Sequence, residues 1–276
     1  MQAAFFDLDK TVIAKASLVA FGPSLHRAGY LSKWLVARAL WAQFFFRRFG
    51  ADAEKLRKFR ETALRVATGW EKDEIQRLVR ATLAEVIEPI VYKEALELIG
   101  FHRAEGHRIY LVSASPSEIV EPLGEFLGID EVIATKAKLD ESGRYTGEVA
   151  FNSFGKNKVT AIRASAEIHG IDLENSWAYS DSATDVPMLS AVGNPVVVNP
   201  DRELRRVAEA RGWPSSFYRI GRDAQRGTLH QEACAGRCGS RYGCRGGRRR
   251  LAPRALATRR EKRIDFACVP GVNWLI

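Results

Sequence analysis

AAFFDLDKT, residues 3–11, sets an apolar run directly against two carboxylates. Ala3, Ala4, Phe5 and Phe6 stop abruptly at Asp7, as a buried parallel strand does when it delivers polar side chains to its carboxyl edge. Asp9 follows two residues later, and an extended turn sends it to the same side. Taken alone, D-L-D-K-T is also the composition of a turn or a helix N-cap, because Asp and Thr bond local amides. What lies downstream separates the two readings.

From about residue 15 to 93 the pattern is helical. Leu35, Leu40 and Phe44, then Leu56, Phe59 and Leu64, then Ile75, Leu78, Val79 and Leu83 recur at spacings near three, four and seven. After Pro89, helices and strands alternate. The reading is a helix over 92–104, a strand over 108–112 ending on Ser113, a helix over 117–127 and a short strand near 132–134. LDESGRYTGEV, residues 139–149, reads as a hairpin around a Gly-containing turn. A helix over 156–169, a strand over 176–180 ending on Asp181, a helix around 185–191 and a strand over 195–198 complete the series. The fold class implied is α/β, with a mainly parallel, Rossmann-like sheet. Right-handed crossovers then place the strand carboxyl ends on one edge, where ligands bind.

Composition partitions the chain. It has 276 residues, 46% of them hydrophobic, enough for a sizeable core. The net charge of +9 is a property of its end: residues 221–276 hold 13 Lys or Arg against 4 Asp or Glu, and the rest is balanced. Cys234, Cys238, Cys244 and Cys268 all lie in that same stretch, so a disulfide-stapled framework is not expected. Its Arg- and Gly-rich texture lacks apolar periodicity, and disorder is the expectation. Zinc on Cys234, Cys238 and Cys244 with His230 is disfavoured, because the spacing lacks paired C-x-x-C. The basic tail does raise a rival function, nucleic-acid binding or regulation through residues 221–276. The N-terminus has no basic region before its apolar run and is not expected to act as a signal peptide, so a cytoplasmic location is expected. WLVARALWAQFFF, residues 34–46, is too short to span a bilayer and reads as a partly buried helix.

A parallel sheet would bring together residues that are far apart in the chain. Asp7 and Asp9 follow the first strand, Ser113 the second, Lys158 begins a helix, and Asp181 and Asp185 follow a later strand. Singly, each has an ordinary explanation: a turn serine, a solvated helix lysine, a capping aspartate. Jointly, they form a cradle for a phosphoryl group. Carboxylates crowded in one cleft repel unless a hard divalent cation joins them, and oxygen ligands suit magnesium. A hydroxyl and an ammonium then serve phosphate oxygens. One carboxylate can attack phosphorus while another protonates the leaving oxygen.

FFDLDKT at 5–11, YLVSAS at 110–115, FGKNKVTAI at 154–162 and AYSDSATDVPML at 178–189 resemble the four motifs of the haloacid dehalogenase superfamily. Within it, the likeness is to the phosphoserine-phosphatase-like branch, subfamily IB, in which a helical cap is inserted after the first strand. The resemblance covers about residues 3–214. It implies a catalytic core over 1–14 and 94–220, an all-helical cap over 15–93 and a separate tail over 221–276. It implies Asp7 as nucleophile and Asp9 as general acid, then base. Magnesium would be held by Asp7, the Asp9 carbonyl and Asp181, with Asp185 and the adjacent Thr184 in support. Ser113 and Lys158 would bind phosphate, Lys156 being a nearby alternative. The implied activity is hydrolysis of a small phosphomonoester through an aspartyl-phosphate, although transfer to an acceptor alcohol uses the same intermediate. Two departures stand out. Phosphoserine phosphatases commonly place a Glu nine residues after the nucleophile to meet the substrate ammonium, and Ala16 stands there, which argues against phosphoserine. Ser180 and Thr184 replace the usual Gly and Asn of the last motif.

Overall fold

A computed structural model describes residues 1–32 and 65–219. Strand β1 (Ala3–Asp7) lies at the centre of a sheet ordered β4-β3-β2-β1-β5-β6-β7 among the described residues. Its neighbours are β2 (Arg108–Pro116) and β5 (Trp177–Ser180), both parallel to it. Beyond β2 lies β3 (Glu131–Leu139), and beyond β5 lie β6 (Asn194–Val198) and the short β7 (Ser215–Ser216), all parallel. The chain therefore winds outward from β1 on one side, then returns to build the other. The crevice between β1 and β5 is the switch point of a doubly wound sheet.

Alternation along β1 explains why it is buried on both faces. Ala4 and Phe6 enter one apolar cluster, Ala3 and Phe5 the other. On the first face lie α4 (Lys93–Ala104) and α5 (Ser117–Leu127), which contribute Leu98, Ile99, Ile119 and Leu123. On the second lie α6 (Lys156–His169), α7 (Val186–Leu189) and α8 (Arg202–Arg211), contributing Ile162, Met188, Leu189 and Leu204. Fully burying a side chain such as Phe5 or Phe6 stabilises the fold by about 2–3 kcal/mol, so this central strand anchors both layers.

Beyond β1 the chain departs from the core after Ala14 and returns to it at Ile90. The two ends are held side by side: the Ala14 amide donates to the Ile90 carbonyl at 2.8 Å and the Tyr92 amide to the Val12 carbonyl at 2.9 Å. Between them lie α1 (Ser17–Ala20), α2 (Gly22–Arg27) and α3 (Lys72–Ile87). In α3, Ile75, Val79, Leu83 and Ile87 are buried at i, i+4 spacing, one stripe turned to the protein, and Asp73 and Glu74 favour its N-terminus. An Arg80–Glu125 ion pair joins α3 to α5. The expected helical positions from Leu35 to Leu64 lie outside the described residues, as does the tail with its four cysteines.

Two local expectations are corrected. The strand near 132–134 and the first arm of the hairpin are one element, Glu131–Leu139, buried at Ile133–Thr135 and alternating only from there to Leu139, with a register shift between Lys136 and Ala137. Thus β3 pairs with β2 in parallel through Thr135 and with β4 (Tyr145–Phe151) in antiparallel from Lys136 onward. The helix expected around 185–191 is a 3-10 turn, Ala183–Asp185, followed by the single turn of α7. Pro187 suits the first turn of a new helix, where its missing N–H costs nothing. No helix among the described residues is long and apolar enough to cross a membrane.

Candidate functional site

Register places the polar residues. Asp7 is paired across from Val112, so Ser113 is the next residue on β2 beyond it, and Asp181 follows the last residue of β5. All three lie at the carboxyl edge beside the switch point. Asp7, Ser113, Asp181, Asp185 and Lys158 are each less than a tenth exposed.

Lys158 ties the site together. Its Nζ donates to Asp7 Oδ1 at 2.6 Å and to Asp185 Oδ2 at 2.9 Å. It reaches there from the first turn of α6, where the Gly155 carbonyl accepts its amide at 3.2 Å. Lys156, the alternative from sequence, is exposed. Burial works against the Lys158 charge, but Asp185 and Asp7 outweigh it and raise its pKa. Asp185 Oδ2 also accepts from Ser180 Oγ at 2.8 Å, so the serine in place of glycine fixes this carboxylate. Its other oxygen, Oδ1, is buried with no hydrogen-bond partner.

Asp9 is held from two directions. The Ser17 amide, at the start of α1, donates to Oδ1 at 2.7 Å, and Ser115 Oγ, on β2, donates to Oδ2 at 3.0 Å. Ser17 Oγ donates in turn to Ser115 Oγ at 2.8 Å. Ser113 Oγ accepts from the Ser115 amide at 3.1 Å. In the same turn after β1, the ammonium of Lys10 stands 3.8 Å from Asp181 Oδ2, and Lys10 is largely exposed. Thr184 does not reach these carboxylates by any hydrogen bond described; its amide and hydroxyl meet Ser182 Oγ at 3.4 and 3.0 Å, closing the 3-10 turn that carries Asp185.

The carboxylates strain against one another. Burial pushes Asp7 well above the usual carboxylate range; Lys158 opposes this, and Asp185, Asp181 and Asp9 reinforce it. Burial also lifts Asp181, to about 7, against the pull of Lys10. Asp9 is raised by burial too, with the bonds from Ser17 and Ser115 working the other way. Among the described residues, no three His, Cys, Asp or Glu side chains are grouped so as to hold an ion by themselves. A set of two carboxylates and a backbone carbonyl does not require three. Four acidic side chains facing two ammonium groups, with a buried oxygen of Asp185 unpartnered, fit a hard divalent cation that keeps most of its water.

Ser115 and Ser17 escaped the sequence reading as site residues. A signal for Ser115 was there: residues two apart on a strand share a face, so a serine at 113 that points into the crevice implies the same for 115. The reach of Ser17 had none, because it depends on how the chain turns after Ala14.

Carboxylates gathered at the switch point of a parallel sheet, with a buried ammonium between two of them, mark a doubly wound α/β protein built for carboxylate chemistry. The chain belongs to the haloacid dehalogenase-like hydrolase family, whose model matches residues 4–190. It is similar to the inhibition of morphological differentiation protein of Streptomyces azureus, with 47% identity over 81% of each chain. It is 45% identical to a probable phosphatase of Mycobacterium tuberculosis, over 77% of this chain and 74% of that one. A protein named phosphoserine phosphatase from the same species is 33% identical over 95% of this chain and 82% of its own. A solved substrate-bound phosphoserine phosphatase shares the fold, with a TM-score of 0.55 and 18% identity over 78% of this chain and 92% of that one. The chain is thus a phosphatase-like hydrolase of this family.

Proposed function

We propose that the protein is a magnesium-dependent phosphomonoesterase that works through an aspartyl-phosphate on Asp7. The observation that carries this reading is Lys158 lying between Asp7 and Asp185 at 2.6 and 2.9 Å, which puts a fixed positive charge where phosphate oxygens would crowd a carboxylate nucleophile. Asp7, the Asp9 carbonyl and Asp181 would hold magnesium, with Asp185 behind them; the ion supplies charge neutralisation to the phosphoryl group. Asp7 attacks phosphorus, and the bond to the leaving oxygen breaks as the new one forms. Asp9 gives that oxygen its proton, then takes one from the water that cleaves the acyl phosphate. Ser113 and Lys158 bind the phosphoryl oxygens throughout.

Residues 15–93 act as the cap that admits substrate, on a core of 1–14 and 94–220. Ala16 directly precedes Ser17, whose amide grips Asp9, so position 16 stands at the site and brings no carboxylate to it. This favours a small phosphomonoester without an ammonium beside its phosphate, despite the phosphoserine phosphatase named among the relatives. Phosphate release from a substrate panel with magnesium is the test. Asp7→Asn is expected to lower kcat by at least ~1,000-fold, as loss of a catalytic nucleophile does, and EDTA to abolish turnover until magnesium is restored. Unchanged turnover by Asp7→Asn would end the proposal.

A further inference from the structure

Asp9 must hold its carboxyl in one place on two occasions, first to give a proton and then to take one. Nothing covalent keeps it there, for it sits in the turn after β1 and is only half-buried. The two oxygens are instead pinned by groups from different parts of the molecule. The Ser17 amide belongs to the segment inserted after Ala14, while Ser115 Oγ belongs to β2 of the sheet. We propose that Ser115 is a positioning residue for the general acid, and that its hydroxyl, paired with that of Ser17, aims the Asp9 carboxyl at the leaving oxygen. The proposal rests on the phosphatase reading above and goes beyond it.

Three features single out Ser115. It is buried, only 8% exposed, so its hydroxyl is not exchanging partners with bulk water. Its amide donates to Ser113 Oγ at 3.1 Å, and the Thr135 hydroxyl donates to the neighbouring Ala114 carbonyl at 2.9 Å, which fixes the backbone that carries it. A hydroxyl both donates and accepts, whereas an amide only donates. In the structure Ser115 donates to Asp9 Oδ2 and accepts from Ser17 Oγ at 2.8 Å. When Asp9 carries its proton on Oδ2, that hydrogen can face the leaving oxygen while Oδ2 still accepts from Ser115 through its remaining lone pair. The carboxyl then keeps its orientation in both halves of the reaction.

The consequence is a dependence on the leaving group. An alkoxide leaves only with a proton, whereas dinitrophenolate leaves well without one. The value of kcat/KM reports steps through phosphoryl transfer to Asp7, before the shared aspartyl-phosphate is hydrolysed. With magnesium, β-glycerol phosphate and 2,4-dinitrophenyl phosphate are therefore compared for wild type, Ser115→Ala and Ser115→Thr. Misplacing a general acid is expected to lower kcat/KM for the alkyl ester by about 10–100-fold in Ser115→Ala, against under about threefold for the aryl ester. Ser115→Thr, which keeps a hydroxyl, should recover most of the loss. Asp9→Asn provides the benchmark, with the same selectivity and a larger loss.

An equal loss on both esters, or none on either, overturns the role of Ser115. A partly unfolded variant lowers both alike, so counting active sites from the dinitrophenolate burst normalises each preparation, and Ser115→Cys replaces an alanine variant that does not fold. Failure of the underlying reading looks different: wild type releases phosphate from neither ester, or Asp7→Asn is as active as wild type.

Discussion

At the scale of single residues, position 16 and a buried histidine carry separate consequences. Ala16 brings no carboxylate to that position, where an ammonium substrate would want one. Ala16→Glu is expected to raise the ratio of phosphoserine to glycerol phosphate turnover by about 10-fold or more, the yield of one charge-assisted contact worth ~1.5–3 kcal/mol. Steady-state rates on the two esters measure it; an unaltered ratio means that selection is made elsewhere in the cap. His102, which makes no hydrogen bond to the site carboxylates, is fully buried on α4. Its Nε2 meets the Tyr179 hydroxyl at 2.8 Å and its Nδ1 meets His107 Nδ1 at 2.9 Å. Burial, with the neighbouring His107, lowers its pKa to about 3. Between about pH 3 and 6.5 the unfolded chain binds a proton that the native state refuses, so this group's contribution to stability is complete above pH 6.5 and is lost on acidification. The slope is up to ~1.4 kcal/mol per pH unit. The buried aspartates act in the opposite sense over an overlapping window, since Asp181, raised to about 7, favours the native state below that pH. Urea melts of wild type and His102→Gln at pH 7.5 and 5 isolate the histidine: the variant should lose ~2 kcal/mol less on acidification.

Among the elements, one glycine shows how tightly the sheet is closed. Gly193 precedes β6, and a Cβ added there would lie 1.7 Å from the Glu174 carbonyl oxygen. Backbone cannot yield as a side chain can. Gly193→Ala is expected to cost more than ~3 kcal/mol in a urea melt, at the high end for one substitution. Gly106→Ala, where φ is +75° but the space is open, should cost only about 1 kcal/mol. Similar losses at the two sites would mean that the contact at Gly193 relaxes. The same elements show what could be read without coordinates. Ala3–Asp7 announced its burial because four apolar residues met a carboxylate without a break. Lys158 was legible only because its helix began at a motif; no periodicity distinguishes a lysine that turns inward from one that does not. β3 was misread because its pairing changes from parallel to antiparallel at Lys136, with a register shift between Lys136 and Ala137, and such a change of partner depends on neighbours. α8 went unread because only Leu204 and Ala208 of its ten residues are buried, too sparse a stripe among so many charges. The bonds to Asp9 could not be read, since they join residues 8 and 106 positions away.

At the scale of the whole molecule, the site residues described above all lie within residues 1–219. The last described contacts, Tyr218 to the Asn199 side chain at 3.0 Å and Arg219 to Glu94 at 3.2 Å, bring the chain back to the start of α4. Truncation after residue 219 is therefore expected to leave kcat/KM on small phosphomonoesters within about threefold, the range expected when no group touching the reaction is removed. A loss of 100-fold or more would mean that the basic end takes part in turnover, and the nucleic-acid reading would regain its case. Salt-dependent retention on DNA, lost on truncation, would be its signature.

The paired amides and carbonyls where the chain departs after Ala14 and re-enters at Ile90 work as a doorframe of constant width. Whatever is hung in such a frame can lengthen, shorten or be exchanged without the sheet noticing, because entrance and exit are already joined. The hinge post, however, includes Ser17. A transplanted door lacking an amide at that spot would still swing in its frame, yet the proton donor behind it would be left without its latch.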